Sequence, residues 1–312
     1  MNTRAMGRRT ATLLLAAVML AVLCGRSARA EKKLYWINAG SDKIQRCDLD
    51  ATDVEDVVST GTSEPQDLAV DVAGGKVYWV VRGYNAVRRA SLDGQDVEDL
   101  VTGVVGPDGI ALDLPAGKMY WTVDGTEKIR RADLNGDNPE DVMTLSGPWG
   151  IALDLQHGMM YWTDAFVDKV QRAPMDGSGP IEDIFDTGGI DPLGIALDLV
   201  HGKVYWTEAS YEVGVDSMIR RADLDGSNVD DLVNLGSQVS RGVALDVADG
   251  KMYWTVYTAD KIQVAELDGT NVCDFLTSGL DRPVGIEFVV PEPGSMALLA
   301  LGVLAVVRRR RR

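Results

Sequence analysis

Acidic pairs recur along this sequence: Glu55-Asp56, Glu98-Asp99, Glu140-Asp141, Glu182-Asp183 and Asp230-Asp231, with Asp274 alone in a sixth copy. Carboxylate oxygens suit hard cations, so these acids read as a girdle for weakly held surface Ca2+ or a cationic partner. They also read as charge on exposed sheet edges, where it discourages edge-to-edge pairing, and that reading is preferred. No Asp-rich loop with its Gly and terminal Glu is present, so neither a tight Ca2+ site nor any other cofactor is expected. The two histidines, His157 and His201, fall at equivalent turn positions. They are expected in solvent, which leaves no base for a Ser-His-Asp set. No His- or Cys-rich metal spacing occurs. Beyond the N-terminal segment the cysteines are Cys47 and Cys273. A disulfide between them would require an oxidising compartment. Cys47, however, fills a slot held elsewhere by Ala90, Ala132, Ala173, Ala222 and Ala265, which reads as tight packing. Two separate thiols are therefore expected.

The elements that carry these residues follow from a repeat. A Tyr-Trp pair occurs at Tyr35, Tyr78, Tyr120, Tyr161, Tyr205 and Tyr253, a period in the low forties. Such a period marks propeller blades or helical repeats. Residues 194–233 decide between them: "GIALDL", "KVYWT", "MIRRADL" and "VDDLV" are short β-prone runs, separated by turn signals such as "VHG" and "DGSN". None has the helical period. Each unit therefore reads as a four-stranded antiparallel sheet. Adjacent strand residues point to opposite faces. Burying both Tyr and Trp thus requires cover on both sides, as between neighbouring blades.

Six phrases like "GIALD" match six Tyr-Trp strands, but the first Tyr-Trp has no such phrase before it. The last phrase, "VGIEFVV" at Val284–Val290, has no Tyr-Trp after it. The predicted fold is an all-β six-bladed propeller of four-stranded antiparallel blades, its first blade closed by the C-terminal strand.

The repeats also serve as an internal control. Slots filled alike in every copy build the blade, whereas slots that differ are free to serve a ligand. Just before the first strand that slot reads Gln66, Asp108, Trp149, Leu193, Arg241 and Val284. Trp149 is the one Trp outside the six pairs. Loops between the second and third strands add Arg82, Tyr84, Phe166, Tyr211 and Tyr257, and antiparallel geometry brings both sets to one face. Trp, Tyr and Arg are the usual interface anchors. The candidate ligand-binding residues are Trp149, Arg241, Gln66, Asp108, Leu193, Arg82, Tyr84, Phe166, Tyr211 and Tyr257, with no catalytic or metal-ligating set. The competing reading has the same side chains packing over the loops or plugging the channel.

Both ends read as addresses. Arg4, Arg8 and Arg9, an apolar run over residues 11–23 and Ala28-Arg29-Ala30 form the three parts of a signal peptide, residues 1–30. Residues 291–312 hold Pro-Glu-Pro, an uncharged run and five arginines. The ends together carry ten Arg and one acid. Setting these aside from 31 basic and 47 acidic residues leaves residues 31–290 with a formal charge of −25. A phosphate-binding surface needs the opposite sign, so nucleic acid is excluded as a partner.

The C-terminal segment resembles the PEP-CTERM sorting signal of Gram-negative bacteria. That resemblance implies an exosortase-type processing enzyme, transient anchoring in the inner membrane and delivery to the cell surface or extracellular matrix. "YWTD" at Tyr161–Asp164, the "GIALD" phrases and "RADLDGSN" at Arg221–Asn228 resemble the class B repeats of the low-density lipoprotein receptor family. That resemblance spans about residues 33–289 and implies a six-bladed propeller that binds protein outside the cell. The fourth motif residue is Asp at Asp164 alone, with Asn38, Val81, Val123, Glu208 and Val256 elsewhere, and no Cys-rich module follows. The expectation is a monomeric, non-enzymatic, exported protein that binds a protein, peptide or matrix polymer. The alternatives are a divalent-metal lactonase- or lyase-like propeller and a matrix protein cross-linked by Ca2+.

Overall fold

A computed structural model describes residues 32–61 and 64–290. The signal peptide, residues 1–30, and the sorting segment, residues 291–312, lie outside the described residues. The described chain forms six sheets of four antiparallel strands. From the axis outward, blade 2 runs Pro65–Asp71, Lys76–Val81, Ala86–Ser91 and Glu98–Thr102. Blades 3 to 6 repeat this order, with inner strands Pro107–Asp113, Pro148–Asp154, Asp191–Asp198 and Ser240–Asp246.

Blade 1 takes its inner strand from the C-terminal end. Pro283–Val289 pairs with Lys33–Asn38, which leads outward to Lys43–Asp48 and Glu55–Ser59. The expected latch is therefore present. The seam it makes with blade 6 is well filled. Leu34, Trp36 and Cys47 pack with Ala244, Tyr253, Ile262, Leu276 and Ile286. Phe288 stacks on Tyr253, ring centroids 6.4 Å apart. Lys32 adds a pair to the buried Asp246 carboxylate at 2.6 Å.

All twelve residues of the Tyr-Trp pairs are buried, and every Trp in them is 0% exposed. The Trp of one blade packs with the Tyr of the preceding one: Tyr35 with Trp79, Tyr120 with Trp162, Tyr161 with Trp206, Tyr205 with Trp254. Two-sided cover is the reason adjacent aromatics are accommodated on one strand.

Two further devices join the blades. In each blade, two inner-strand residues oppose a single residue of the second strand, a β-bulge. Between Pro148↔Asp164 and Ile151↔Trp162, for example, Trp149 and Gly150 face Thr163 alone. The Thr hydroxyl takes up the displaced N–H. Thr163 Oγ1 accepts from Gly150 N at 2.9 Å and donates to Leu193 O of the next blade at 2.5 Å. Thr122 and Thr255 make the same link to Trp149 O and Val284 O, the latter at 2.8 Å. Further out, Arg131, Arg172 and Arg221 each donate to a turn carbonyl of the following blade: Met175 O, Leu224 O and Leu267 O.

The acidic pairs lie on the outer strands and face bases of the third strand. Glu140 and Asp141 pair with Arg131 and Arg130; Glu182 and Asp183 pair with Arg172 and Lys169. Asp274 pairs with Lys261. The girdle is thus largely neutralised by cross-strand partners. Among the described residues no group of three or more His, Cys, Asp or Glu is placed to hold a metal ion. Cys47 is buried, Cys273 is exposed, and they are not bridged. Burial pushes the Cys47 thiol up to about 12.

Candidate functional site

The bulge decides what meets the channel. It takes the residue before each Gly slot out of the ladder and turns it toward the axis, a common use of bulges. Gln66, Asp108, Trp149, Arg241 and Val284 therefore line one mouth of the central channel, whose volume is about 380 Å³, whereas Leu193 in the same slot is buried beneath it. The inner strands then run away from this mouth. His157 and His201, in the turns at their far ends, lie at the opposite end of the channel. Each is exposed, with Nδ1 2.7 Å from the carboxylate of Asp154 or Asp198.

At the mouth the side chains form one cluster. The Arg82 guanidinium spans the buried Asp108 carboxylate, with Nε–Oδ1 3.0 Å and Nη2–Oδ2 2.7 Å, and reaches Asp124 at 3.0 Å. Its centre lies 5.1 Å from the Trp149 ring. Arg241 lies 5.6 Å from the same ring and 4.3 Å from that of Tyr257. Leu193, Ala209 and Val239 form the floor on which Trp149 and Tyr257 rest. Cation–π contacts of this kind, desolvated on one side, contribute about 1–2 kcal/mol each. Burial drives the Asp108 carboxyl up to about 7, opposed by its bonds to Arg82.

Arg241 stands apart from the other mouth cation. Among the described residues it forms no salt bridge, and its Nε is buried without a hydrogen-bond partner. The nearby Asp108 is already bound by Arg82.

Of the ten residues that the sequence nominates, six join this cluster: Arg82, Asp108, Trp149, Leu193, Arg241 and Tyr257. Gln66 lines the mouth and is largely buried, with its amide 3.4 Å from Glu64 O. Tyr84, Phe166 and Tyr211 are exposed, by 50%, 79% and 64%. Tyr84 leans outward instead, donating to Asp99 on its outer strand and lying under Arg88. The fourth motif residue acts as a loop brace. Asp164 accepts from the N–H groups of Ser146, Gly147, Phe166 and Val167, holding the loops beside Trp149. Glu208 accepts from Trp206 Nε1 and from Arg220.

Two acids deeper in the channel are not among the residues that the sequence nominates. Asp67 stands where other inner strands have Gly109, Gly150, Gly194, Gly242 and Gly285. Glu287 stands where they have Ala69, Ala111, Ala152, Ala196 and Ala244. Both line the channel. Like the mouth residues, both are exceptions within otherwise uniform slots, a signal present in the sequence. Burial pushes the Glu287 carboxyl up to about 8, and the Asp67 charge adds to the effect. Burial likewise takes Asp67 up to about 7.

For these acids the folded state holds the proton more tightly than the unfolded chain, so their ionisation opposes folding as pH rises from about 4.5 to about 8. Glu287→Ala, which restores the residue of the other five blades, is expected to stabilise the protein by about 1–3 kcal/mol near pH 8. The gain should shrink toward zero below the ordinary Glu range. Urea unfolding midpoints of the two proteins across that pH range check it.

The architecture defines the class: a six-bladed β-propeller with four-stranded blades and a ring of unlike residues at one mouth of its channel. Among solved structures it is similar to a chain in the crystal structure of a nidogen/laminin complex, with TM-score 0.74 and 22% identity over 84% of this chain and 99% of that one. It is also similar to TolB from Acinetobacter baumannii, with TM-score 0.66 and 12% identity over 88% of this chain and 71% of that one. A third likeness is to a catalytically inactive virginiamycin B lyase from Staphylococcus aureus solved with quinupristin, with TM-score 0.60 and 17% identity over 84% and 93%. At these identities the likeness shows the fold alone. No curated protein matches the sequence. Residues 289–312 match the PEP-CTERM protein-sorting motif, which indicates an exported protein sorted through this segment. No described helix is long and apolar enough to cross a membrane.

Proposed function

We propose that this is a non-enzymatic, exported binding protein of the cell surface or extracellular matrix, monomeric, whose ligand is a protein segment docked over the channel mouth. The observation that carries this reading is the mouth itself. Otherwise repetitive blades present different side chains there: Gln66, Asp108, Trp149 and Arg241, with Val284 from the latch and Leu193 buried beneath them. Arg241 lies against two aromatic rings and forms no salt bridge among the described residues, the composition expected of a binding anchor. Tyr211 and Phe166 supply exposed rim around it. The laminin-bound solved relative supports the reading by analogy of fold only. The two His-Asp pairs lie at the far end from this cluster, which disfavours catalysis at the mouth. An exosortase-type enzyme would recognise the C-terminal segment while it is held transiently in the inner membrane of a Gram-negative cell.

The test is a pull-down from surface extract with the wild-type protein and a Trp149→Ala, Arg241→Ala double variant. Removing two anchors should reduce capture of a specific partner by about a hundredfold or more. Equal capture by a double variant with unchanged thermal unfolding would reject the mouth as the binding face.

A further inference from the structure

The repeat shows how a charge in the mouth slot is satisfied from within the fold, and where it is not. In blade 3 that slot holds Asp108. Arg82, which ends the second strand of blade 2, crosses to it and bonds at 2.7 Å. The same two slots in blades 6 and 5 hold Arg241 and Ala209. Ala209 packs with Val239, two residues before Arg241, and brings no counter-charge. Asp191, across the ladder from Ala209, forms no ion pair with Arg241 either. Arg241 Nε is buried with no hydrogen-bond partner, which native proteins seldom tolerate. Its two terminal nitrogens are not enclosed, and they bond to nothing among the described residues. Trp149 and Tyr257 fix the guanidinium, with ring centroids 5.6 Å and 4.3 Å away.

We propose that the protein segment docked at the mouth is held through an Asp or Glu side chain, whose carboxylate takes the terminal N–H groups of Arg241. This rests on the reading of the mouth as the binding face. A guanidinium fork matches two carboxylate oxygens. One already fixed against two rings loses little freedom on binding. A polyanion fits poorly, because the strongly acidic body repels it. The matching segment therefore carries its acid among neutral or basic residues. A chain terminus fits poorly too. Its capture uses a nest of backbone N–H groups, and the N–H beside Arg241, that of Gly242, is taken by Thr255 Oγ1 at 3.1 Å. The loop that leaves Ala209 carries the exposed Tyr211 and Val213, an apolar rim for the residues flanking the acid.

The full-length protein is titrated with N-acetyl-Gly-Asp-Gly amide, its Asn counterpart, and N-acetyl-Gly-Gly-Ala with a free terminus. Tryptophan fluorescence reports binding at Trp149, since the six paired Trp residues are wholly buried. The expected result is a saturable change with the Asp peptide, about tenfold tighter than with the Asn peptide. Arg241→Gln should weaken it by about tenfold or more. Ala209→Asp should weaken it similarly while Arg241 stays in place, because it sets an acid beside Arg241 as Arg82 sets a base beside Asp108. Blade 3 carries Asp124 in that slot, so the variant is expected to fold. Thermal unfolding of each variant checks this.

Equal binding of the Asp and Asn peptides, tighter binding of the free terminus, no response, or undiminished binding by folded Arg241→Gln would overturn the proposal. Failure of the mouth reading is told apart by single variants in the surface-extract pull-down. Capture that needs Trp149 but not Arg241 keeps the mouth and rejects the carboxylate, whereas capture that needs neither rejects the mouth itself.

Discussion

A chain ending at Arg282 is expected to lose cooperative unfolding altogether, whereas one ending at Val290 should keep it. The shorter chain lacks the inner strand of blade 1. It gives up the buried side chains of Val284, Ile286 and Val289. It also exposes the Lys33–Asn38 strand with Tyr35 and Trp36, and uncovers Tyr253 on blade 6. Each buried aliphatic contributes about 1.5–3 kcal/mol. The sum, with the lost ladder, approaches the whole stability of a typical domain, about 5–15 kcal/mol. Both chains lack residues 291–312, so their difference reports the latch alone. Circular dichroism melts and binding of a hydrophobic dye decide it. A sharp transition in the shorter chain would mean that blade 1 closes without its C-terminal strand.

The second large effect concerns the glycines beside the mouth. A Cβ added at Gly242 would meet Val284 O at 2.6 Å, Ile286 Cγ2 at 3.0 Å and Ile286 N at 3.2 Å. Two of these atoms belong to the backbone of the latch strand and cannot swing away. Gly242→Ala should therefore cost about 2–4 kcal/mol, an overpacking penalty. Gly158→Ala is the control. It sits in the turn after the inner strand of blade 4 at φ +66° with nothing within 4 Å, so the backbone conformation alone opposes the change. That costs about 1 kcal/mol. Denaturant midpoints compare the two, and equal losses would contradict close approach of the inner strands. Blade 2 holds Asp67 in this slot. There the facing residue is Val80 instead of Thr, and the carboxylate itself takes the Ile110 N–H of the next blade.

The contrast between these glycines shows what the sequence could convey. The Tyr-Trp spacing was legible because burial of both neighbours admits few architectures. The latch was legible from an unpaired phrase at each end. The mouth residues stood out because a repeat exposes its own exceptions. The bulge did not, since it changes pairing without changing the alternation of residue types. With the bulge unseen, Thr122, Thr163 and Thr255 read as ordinary strand residues, although each joins two blades. The role of Arg131, Arg172 and Arg221 as bridges to the next blade depends on turns 44, 52 and 46 residues away in the chain, beyond the reach of local pattern. Asp67 and Glu287 were visible in principle, because the test that singled out Trp149 applies to their slots too.

The closed ring is tested most directly by native-state hydrogen exchange of the backbone amides. The amides of Pro283–Val289 and Lys33–Asn38 that pair across the closing ladder should exchange only with global unfolding, at the same free energy as those of Met159–Asp164 in blade 4. Markedly faster exchange confined to the first two segments would show a ring that opens at its join, and would contradict the account.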